Sequence, residues 1–282
     1  MSSYCRVLAL AGVVLLSGCK SSSSNSSAAA EPVARDFGEP TAQQIRPGVK
    51  ISSSYGSCTS NFIFAANSVT YYIGTAAHCF SDDANNGDPC ESRNAASGFS
   101  GVTIENARFP GTLVYSSWSA MQQQGEVPAS EQCRLNDFAL VQIHPDDLDN
   151  VHPSALRFGG PTGLYNGLAA VGDEVFTYGQ SSLHFGEPAL EEKRGQITQV
   201  VADGLAYRVR TDNAGVPGDS GSAVLHEDGR ALGVLSDVAV GVGTAPVSNG
   251  VVNLDRALAY AKNGGFIPAS TVLLTWQTFS GQ

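Results

Sequence analysis

The sequence predicts an all-β protein, built as barrels or as a sandwich, and three observations support this. Only 15% of the 282 residues are charged, and the chain contains 31 Gly and 13 Pro. β-Branched and aromatic residues concentrate in about ten short segments, and clusters of turn-forming residues separate them. Short strands joined by tight turns are typical of barrels and sandwiches.

The strands follow one another from about residue 49 onward, and one helix comes late in the chain. Two hairpin turns are predicted at 66–68 and 227–229. The helix is predicted over 254–262, because Asn253 can cap its start and Gly264 lies just beyond its end. The predicted strands are 61–65, 69–75, 102–104, 112–115, 138–143, 174–178, 196–202, 206–210, 222–226 and 231–236.

The N-terminal residues read as a targeting segment. Arg6 precedes an apolar stretch at 7–16, which is too short to span a bilayer but suits a signal peptide. The following run, Leu-Ser-Gly-Cys ending at Cys19, resembles a bacterial lipobox, which implies cleavage before Cys19 and lipid attached to its sulfur. The alternative is an ordinary signal peptide with a cysteine there by chance. We therefore expect a lipoprotein signal peptide at 1–18 and a Ser/Ala-rich tether with a polar lead-in at 19–45.

Cysteine usage indicates an exported protein. Cys5 leaves with the signal peptide and Cys19 is assigned to lipid, so an even number is left, which predicts two disulfides. No C-x-x-C pair occurs and the histidines lack metal-ligand spacing, so no metal site is expected. The four remaining cysteines are Cys58, Cys79, Cys90 and Cys133.

The charge balance and the absence of repeats exclude several other classes. The formal net charge is −10, and no basic run occurs, which disfavours nucleic-acid binding. No heptad pattern, fixed repeat or 18-residue apolar run is present, so a coiled coil, a repeat array and a multi-span membrane protein are disfavoured.

Three short motifs carry the chemistry when they are taken together. They are Thr-Ala-Ala-His-Cys around His78, Asn-Asp-Phe-Ala-Leu-Val around Asp137, and Pro-Gly-Asp-Ser-Gly-Ser around Ser220. In this order, His–Asp–Ser, they resemble the trypsin/chymotrypsin family of serine peptidases, and the resemblance covers roughly residues 48–262. The α/β-hydrolases have the order Ser–acid–His and a G-x-S-x-G motif that this chain lacks.

The resemblance implies two packed antiparallel six-stranded β-barrels followed by a C-terminal helix. The first barrel is expected at 46–150 and the second at 151–282, with the active site between them. The implied function is a serine endopeptidase that hydrolyses peptide bonds through an acyl-enzyme and needs no cofactor. Its partners would be a protein or peptide substrate and, through Cys19, a membrane; we expect a monomer.

Each catalytic role follows from the chemistry of its side chain. Ser220 is the expected nucleophile, and a serine hydroxyl needs a neighbouring base to take its proton. His78 is that base, and Asp137 would accept its other ring N–H to fix the tautomer. The resemblance places the oxyanion hole at the backbone N–H groups of Gly218 and Ser220. Gly at 218 suits an unusual backbone conformation there.

The resemblance also implies how the cysteines pair. Family members have a disulfide that corresponds to Cys58–Cys79, which would hold the base in place. By elimination Cys90 would then pair with Cys133, which lies four residues before Asp137.

The acid before the nucleophile, Asp219, departs from the animal pattern. In the animal enzymes a freed N-terminus beginning Ile-Val-Gly-Gly pairs with this acid, and no such run occurs upstream of Cys58. Some bacterial relatives use an internal arginine instead, and the sequence does not choose among the candidates. These are Arg134, Arg157, Arg194, Arg208 and Arg210.

The resemblance places the specificity pocket at Ala214, Ser236 and Val238. Ala214 would form its floor, Ser236 would contact the catalytic acid, and Val238 would narrow the entrance. An unpaired cation in an apolar pocket is penalised, so an uncharged, small or medium aliphatic residue is expected before the cut. A shifted loop could instead bring in the carboxylate of Asp212.

Two other functions remain open at this point. One is a catalytically silent member of the family that serves as a binding or adhesion protein on the cell envelope. The other is an esterase or transferase that uses the same triad. In each case the protein would be exported, either as a cell-envelope lipoprotein or as a secreted protein.

Overall fold

A computed structural model describes residues 35–82, 88–239 and 247–281, except for the side chains of Val238 and Ala239. Four α-helices are present: α1 (Ser117–Gln124), α2 (Glu131–Leu135), α3 (Pro188–Glu191) and α4 (Leu254–Asn263). The strands are β1 (Lys50–Ser53), β2 (Gly56–Thr59), β3 (Ile63–Asn67), β4 (Thr70–Thr75), β5 (Ser100–Ile104), β6 (Gly111–Ser116), β7 (Ala139–Gln142), β8 (Glu174–Tyr178), β9 (Glu192–Val201), β10 (Ala206–Thr211), β11 (Ala223–His226), β12 (Ala231–Ala239), β13 (Ser248–Asn253) and β14 (Val272–Leu273).

The strands form two antiparallel sheets. The first has eight strands in the order β14-β3-β4-β7-β6-β5-β1-β2, and the second is a closed six-stranded barrel in the order β10-β13-β12-β11-β8-β9. The apolar and aromatic runs that predicted these strands form much of the buried interior: β4 is buried from Tyr71 to Thr75, and β11 is buried throughout. The all-β, two-barrel fold class is therefore confirmed.

The first sheet differs from a closed six-stranded barrel. It is an open half-barrel, and in the described chain its edge strands β2 and β14 do not pair with each other. The free edge of β2 is used elsewhere, because the backbone N–H of Thr59 donates to the carbonyl of Ser220 at 2.9 Å. This strand edge thereby joins the first sheet to the turn that carries the expected nucleophile.

The core of the first sheet is aromatic. Phe64 and Phe138 are fully buried and pack edge to face with ring centroids 5.8 Å apart. Tyr115 contacts Phe138 from β6, with centroids 6.1 Å apart. This packing fixes the ends of β4 and β7, from which two of the expected catalytic residues extend.

Most predicted strands are present, with boundaries that differ by a few residues. The predicted helix is α4, and the Asn253 side chain accepts from the N–H of Arg256 as its cap. Three helices, α1, α2 and α3, were not predicted, and β9 begins at Glu192 rather than at 196. None of the described helices has the length and apolar character that crossing a bilayer requires.

Candidate active site

His78 and Asp137 meet because two paired strands end side by side. The last residue of β4, Thr75, pairs with the first residue of β7, Ala139. His78 follows the end of β4 and Asp137 precedes the start of β7, so the two side chains lie close together. Asp137 Oδ2 is 2.7 Å from His78 Nδ1, and Asp137 Oδ1 accepts the backbone N–H of His78 at 2.9 Å. The second bond fixes the carboxylate relative to the main chain that carries the base, so it orients the imidazole ring.

Asp137 is 2% exposed and has a further donor from the second barrel. The hydroxyl of Ser236 on β12 donates to Asp137 Oδ2 at 2.5 Å. A carboxylate in this position, which accepts three hydrogen bonds, is held ionised and in one orientation. Ser236 thus makes the contact that the sequence analysis expected for it.

The pKa values of the pair shift in opposite directions. Burial alone would raise the pKa of Asp137, but the charge of His78 and the hydrogen bonds from His78 and Ser236 hold it below its ordinary value. Burial alone would lower the pKa of His78, but the charge of Asp137, their hydrogen bond and the nearby charge of Asp237 raise it. The arrangement therefore favours a protonated imidazole next to an ionised carboxylate, as in the state that follows proton transfer from a nucleophile.

Ser220 lies in the turn that precedes β11. It lines the same cavity as His78 and Asp137, which has a volume of about 600 Å³. In the described chain no hydrogen bond joins the Ser220 hydroxyl to His78. Such bonds are often long in unliganded sites and shorten when substrate binds, so the geometry is compatible with a nucleophile and its base.

Gly218 lines the cavity, and its N–H is directed away from Ser181. Gly218 has φ of +103°, a conformation that favours glycine. The Pro217 carbonyl accepts from the hydroxyl of Ser181 at 2.6 Å. The Gly218 N–H belongs to the same peptide group and, because that peptide is trans, points in the opposite direction. Within the described residues, the N–H groups of Gly218 and Ser220 donate to no protein acceptor. Two free donors beside a serine hydroxyl are suited to binding a developing oxyanion.

The cavity is lined near the nucleophile by a small set of uncharged residues. Gly215 and Asn249 face each other there, with Gly215 N–H donating to Asn249 Oδ1 at 2.9 Å. Ser236 also lines the cavity, whereas Ala214 is not among its lining residues. The side chain of Val238 lies outside the described residues. Sequence reasoning missed Asn249, because nothing local distinguishes it from an ordinary strand residue.

Two acidic residues near the site have partners of their own. Asp212 lies along a different cavity, and its carboxylate accepts the backbone N–H of Arg194 at 3.0 Å. Asp237 does line the active-site cavity, but its Oδ1 is 2.6 Å from Nη1 of Arg208. Asp212 is therefore not a counter-charge within the active-site cavity of this structure.

Both expected disulfides are present in the structure, Cys58–Cys79 and Cys90–Cys133. The first joins β2 to the short helix Ala77–Phe80 that contains the base, and the second anchors α2 just before Asp137. Two disulfides in a small β domain indicate a protein exported to an oxidising compartment.

Two groups of potential metal ligands occur among the described residues. In each group the cysteine sulfurs belong to a disulfide, so neither supplies the thiolates of a zinc site while the disulfide is intact. The groups are Cys58, His78 and Cys79, and Asp88, Cys90 and Cys133.

Asp219 has partners that the sequence analysis did not anticipate. Its carboxylate contacts Lys193 Nζ at 3.1 Å and His184 Nε2 at 2.8 Å, and all three side chains are buried. In the described chain none of the five candidate arginines is bonded to it. Lys193 lies in the charged run Glu-Glu-Lys-Arg, which on sequence alone is typical of a solvated surface.

The sequence profile of the trypsin-like peptidase domain matches residues 58–234. This is more than half of the chain, so the protein belongs to the trypsin-like peptidase family. Membership of a protease family implies a protein or peptide substrate. No curated protein sequence matches the chain.

Solved structures with the same fold are chymotrypsin-like serine proteases. A chymotrypsin from Cellulomonas bogoriensis is 17% identical, with a TM-score of 0.50 over 82% of this chain and 99% of that chain. Protease A from Thermobifida fusca is 19% identical, with a TM-score of 0.48 over 82% and 99%. At 17% identity, the similarity to the Cellulomonas bogoriensis chymotrypsin establishes the fold alone.

Proposed function

We propose that the protein is a serine endopeptidase that cleaves peptide bonds through an acyl-enzyme. The observation that carries this proposal is the position of Ser220 and His78 in one cavity, with His78 held by Asp137 at 2.7 Å. His78 Nε2 takes the proton of the Ser220 hydroxyl as its oxygen attacks the scissile carbonyl carbon. The same nitrogen returns the proton to the leaving amine when the C–N bond breaks.

The oxyanion formed in this attack is bound by the N–H groups of Gly218 and Ser220. Water then attacks the acyl-enzyme with His78 again as base, which releases the acid product and restores the Ser220 hydroxyl. Asp137 stays ionised throughout and stabilises the imidazolium. The reaction needs no metal or organic cofactor.

The test of this function is Ser220→Ala in the complete protein. We expect peptide hydrolysis to fall by a factor of about 10⁶ in kcat, because nucleophile and base act as one unit. Ser97→Ala removes the hydroxyl of an exposed serine that does not line the active-site cavity and is the control, with activity within about twofold of wild type. A peptide phosphonate is expected to label the wild type once per chain and to leave Ser220→Ala unlabelled.

The rival functions give different results in the same assays. A catalytically silent binding protein would take up no phosphonate at all. An esterase would be labelled and would hydrolyse ester substrates, with no cleavage of the matched peptide amides. Either result would overturn the proposed endopeptidase function.

We propose that the enzyme prefers an uncharged, small or medium aliphatic residue before the cut, within a pocket beside Ser236 and Val238 where Gly215, rather than the expected Ala214, lines the cavity. The support is that Gly215, Leu235 and Asn249 line the cavity, whereas its carboxylates are paired, Asp137 with His78, Asp237 with Arg208 and Asp82 with Arg93. Matched peptides with Ala, Val, Leu, Arg or Lys at that position test this. A tenfold preference for Arg or Lys, equivalent to about 1.4 kcal/mol, would contradict it.

We also propose that the chain is exported as a lipoprotein, with its signal peptide at 1–18 and lipid on Cys19. These residues lie outside the described part of the chain. The support is the apolar stretch and the Leu-Ser-Gly-Cys motif together with the two disulfides. In this proposal residues 19–45 form a tether and lead-in, and the enzyme is a monomer with halves at 46–150 and 151–282, the second of which contributes β14 to the first sheet.

A further inference from the structure

A buried cluster of charged residues is centred on Asp219, in the turn at 216–220 that carries Ser220, which we call the nucleophile turn. The cluster takes no part in the bond-breaking steps. Asp219 is fully buried, and Lys193 and His184 are 1% and 3% exposed. Lysine is almost never fully buried unless its charge is paired. The burial of Lys193 beside Asp219, the residue that precedes the nucleophile, therefore indicates that its charge has a structural or functional role.

The carboxylate of Asp219 is bonded on both oxygens. Lys193 Nζ lies 3.1 Å from Oδ2, and His184 Nε2 lies 2.8 Å from Oδ1. The backbone N–H of Ser181 donates to Oδ1 at 3.2 Å, and that of Val216 donates to Oδ2 at 3.0 Å. An ionised carboxylate only accepts hydrogen bonds, so His184 Nε2 carries the proton in this contact.

The ammonium group of Lys193 is also fully engaged. It donates to the carbonyl of Leu190 at 2.6 Å and to that of Glu191 at 3.3 Å, and it lies 3.4 Å from His184 Nε2 and 3.1 Å from Asp219 Oδ2, with which it forms an ion pair. The ammonium group therefore has two carbonyl acceptors and a carboxylate counter-charge. A buried ion pair is sustained only when its charges and hydrogen bonds are satisfied in this way, and removing one partner leaves an uncompensated charge.

The nucleophile turn is shaped around this carboxylate. A Cβ on Gly179 would lie 2.2 Å from Asp219 Oδ1, so the carboxylate occupies space that only glycine leaves open. Val216 N–H binds the Asp219 side chain while the Asp219 N–H binds the Val216 carbonyl at 2.9 Å. The main chain between them includes Gly218, and Ser220 follows directly. Fixing the Asp219 side chain therefore fixes both N–H groups of the proposed oxyanion hole.

We propose that Lys193, supported by His184, is a positioning residue for this oxyanion hole. Its buried charge anchors Asp219, so the N–H groups of Gly218 and Ser220 face the cavity without any charge supplied by the chain's N-terminus. The buried ion pair between Lys193 and Asp219 consequently holds the enzyme in its active conformation. This inference rests on the proposed endopeptidase function.

The test compares Lys193→Met with wild type in the complete protein, because methionine keeps much of the side-chain volume and removes the charge. We expect kcat on a peptide substrate to fall by about 10²- to 10³-fold, the effect of losing one oxyanion donor, with KM changed less than about threefold. The affinity for a peptide boronate, whose tetrahedral adduct places an oxygen in the hole, falls in parallel. Lys262→Met on α4 is the control and stays within twofold of wild type in each measurement.

A second variant covers the case in which Lys193→Met does not fold. Lys193→Met combined with Asp219→Asn removes both charges, and a neutralised pair is often tolerated in an interior. We expect the double variant to unfold cooperatively, like wild type, while its kcat stays at least tenfold low with KM little changed. A purely structural pair would regain kcat together with stability.

Three results would overturn the inference. A folded single or double variant with wild-type kcat and boronate affinity would do so while leaving the endopeptidase function intact. The inference would also be overturned if the wild-type protein reacted with the phosphonate only after a proteolytic cut near its N-terminus. The intact mass of the labelled chain would reveal such a cut. If wild type neither cleaves peptides nor binds phosphonate, the proposed function fails and this inference fails with it.

Discussion

His78 is influenced by two carboxylates that act in different ways. Asp137 is buried and bonded directly to the ring, whereas Asp237 lies at the cavity wall and is paired with Arg208. Both negative charges raise the pKa of the imidazole against the opposing effect of burial. The base is thus tuned partly by a residue that does not contact it.

This arrangement predicts a pH dependence for the proposed reaction. His78 must be neutral to accept a proton, so a raised pKa moves the acid limb of the kcat/KM profile above the pH at which an ordinary histidine titrates. Asp237→Asn removes one of the raising charges, and we expect its acid limb at lower pH than that of wild type. Profiles of kcat/KM from pH 4 to 9 measure this.

The control for this profile is Asp149→Asn, which removes an exposed charge that does not line the active-site cavity. We expect its acid limb to coincide with that of wild type. Coincident limbs in wild type and Asp237→Asn would contradict the influence of Asp237 on the base.

Individual residues of the candidate site show which positions could be predicted from the sequence and which could not. His78, Asp137 and Ser220 stand in motifs that are specific as a set, so they could be named before any coordinates. Lys193 could not, because its role depends on a register that turns one residue of a charged run inward against Asp219. Long-range strand pairing decides such a position, and a local pattern does not contain it.

At the scale of elements, β2 connects the first sheet to the nucleophile turn. Thr59, at its end, donates through its hydroxyl to the Gly218 carbonyl at 2.8 Å and accepts from the N–H of Gln180 at 2.9 Å. Its backbone N–H holds the Ser220 carbonyl. One residue therefore ties the strand edge to three positions of the second barrel.

Thr59→Val removes the two hydroxyl bonds while keeping the shape of the side chain. Each bond contributes about 1 kcal/mol, so we expect kcat/KM to fall by about 30-fold as Gly218 loses a support. Steady-state kinetics on a peptide substrate measure the change. Thr59→Ser retains the hydroxyl and is expected to stay within threefold of wild type; equal losses in the two variants would rule out the hydrogen bonds as the cause.

The Cys58–Cys79 disulfide joins β2 to the helix that bears the base, so its removal affects both stability and catalysis. We expect Cys58→Ala with Cys79→Ala to lower the free energy of unfolding by about 2–5 kcal/mol. Urea unfolding measures this, and kinetics on the folded variant is expected to show a reduced kcat because His78 adjoins Cys79. Cys90→Ala with Cys133→Ala is the comparison, with a similar loss of stability and a smaller loss of kcat. Unchanged stability in the first variant would contradict the prediction.

Element boundaries were predictable where a run of β-branched and aromatic residues is bounded by turn residues, and less so elsewhere. β8 was predicted over its exact span, 174–178, because Val-Phe-Thr-Tyr favours a strand and Gly179 follows it. The start of β9 was missed because its first residues are charged, and α1 because Ser117–Gln124 has little apolar periodicity. Tertiary pairing, which a local window does not contain, sets these ends.

At the scale of the whole molecule, the proposed lipid on Cys19 determines where the enzyme works. We expect the mature protein to partition with membranes and to carry diacylglycerol on its first residue, because two or more acyl chains give stable anchoring. Cys19→Ala should move the protein to the soluble fraction with its peptidase activity unchanged. Mass spectrometry of the mature N-terminus decides the matter, and an unmodified terminus elsewhere would refute the anchor.

The short strand β14 completes the first sheet from the opposite end of the chain. It pairs with β3, with Val272 opposite Ala65, and beyond it the N–H of Gly160 donates to the carbonyl of Thr278 at 2.8 Å. A chain that is made and exported from its N-terminus therefore carries an incomplete first sheet until β14 emerges. A premature stop codon before Val272 would leave β3 with an unpaired edge. Nascent chains would thus gain a finished first sheet only after β14 has been synthesised, long after the other strands of that sheet.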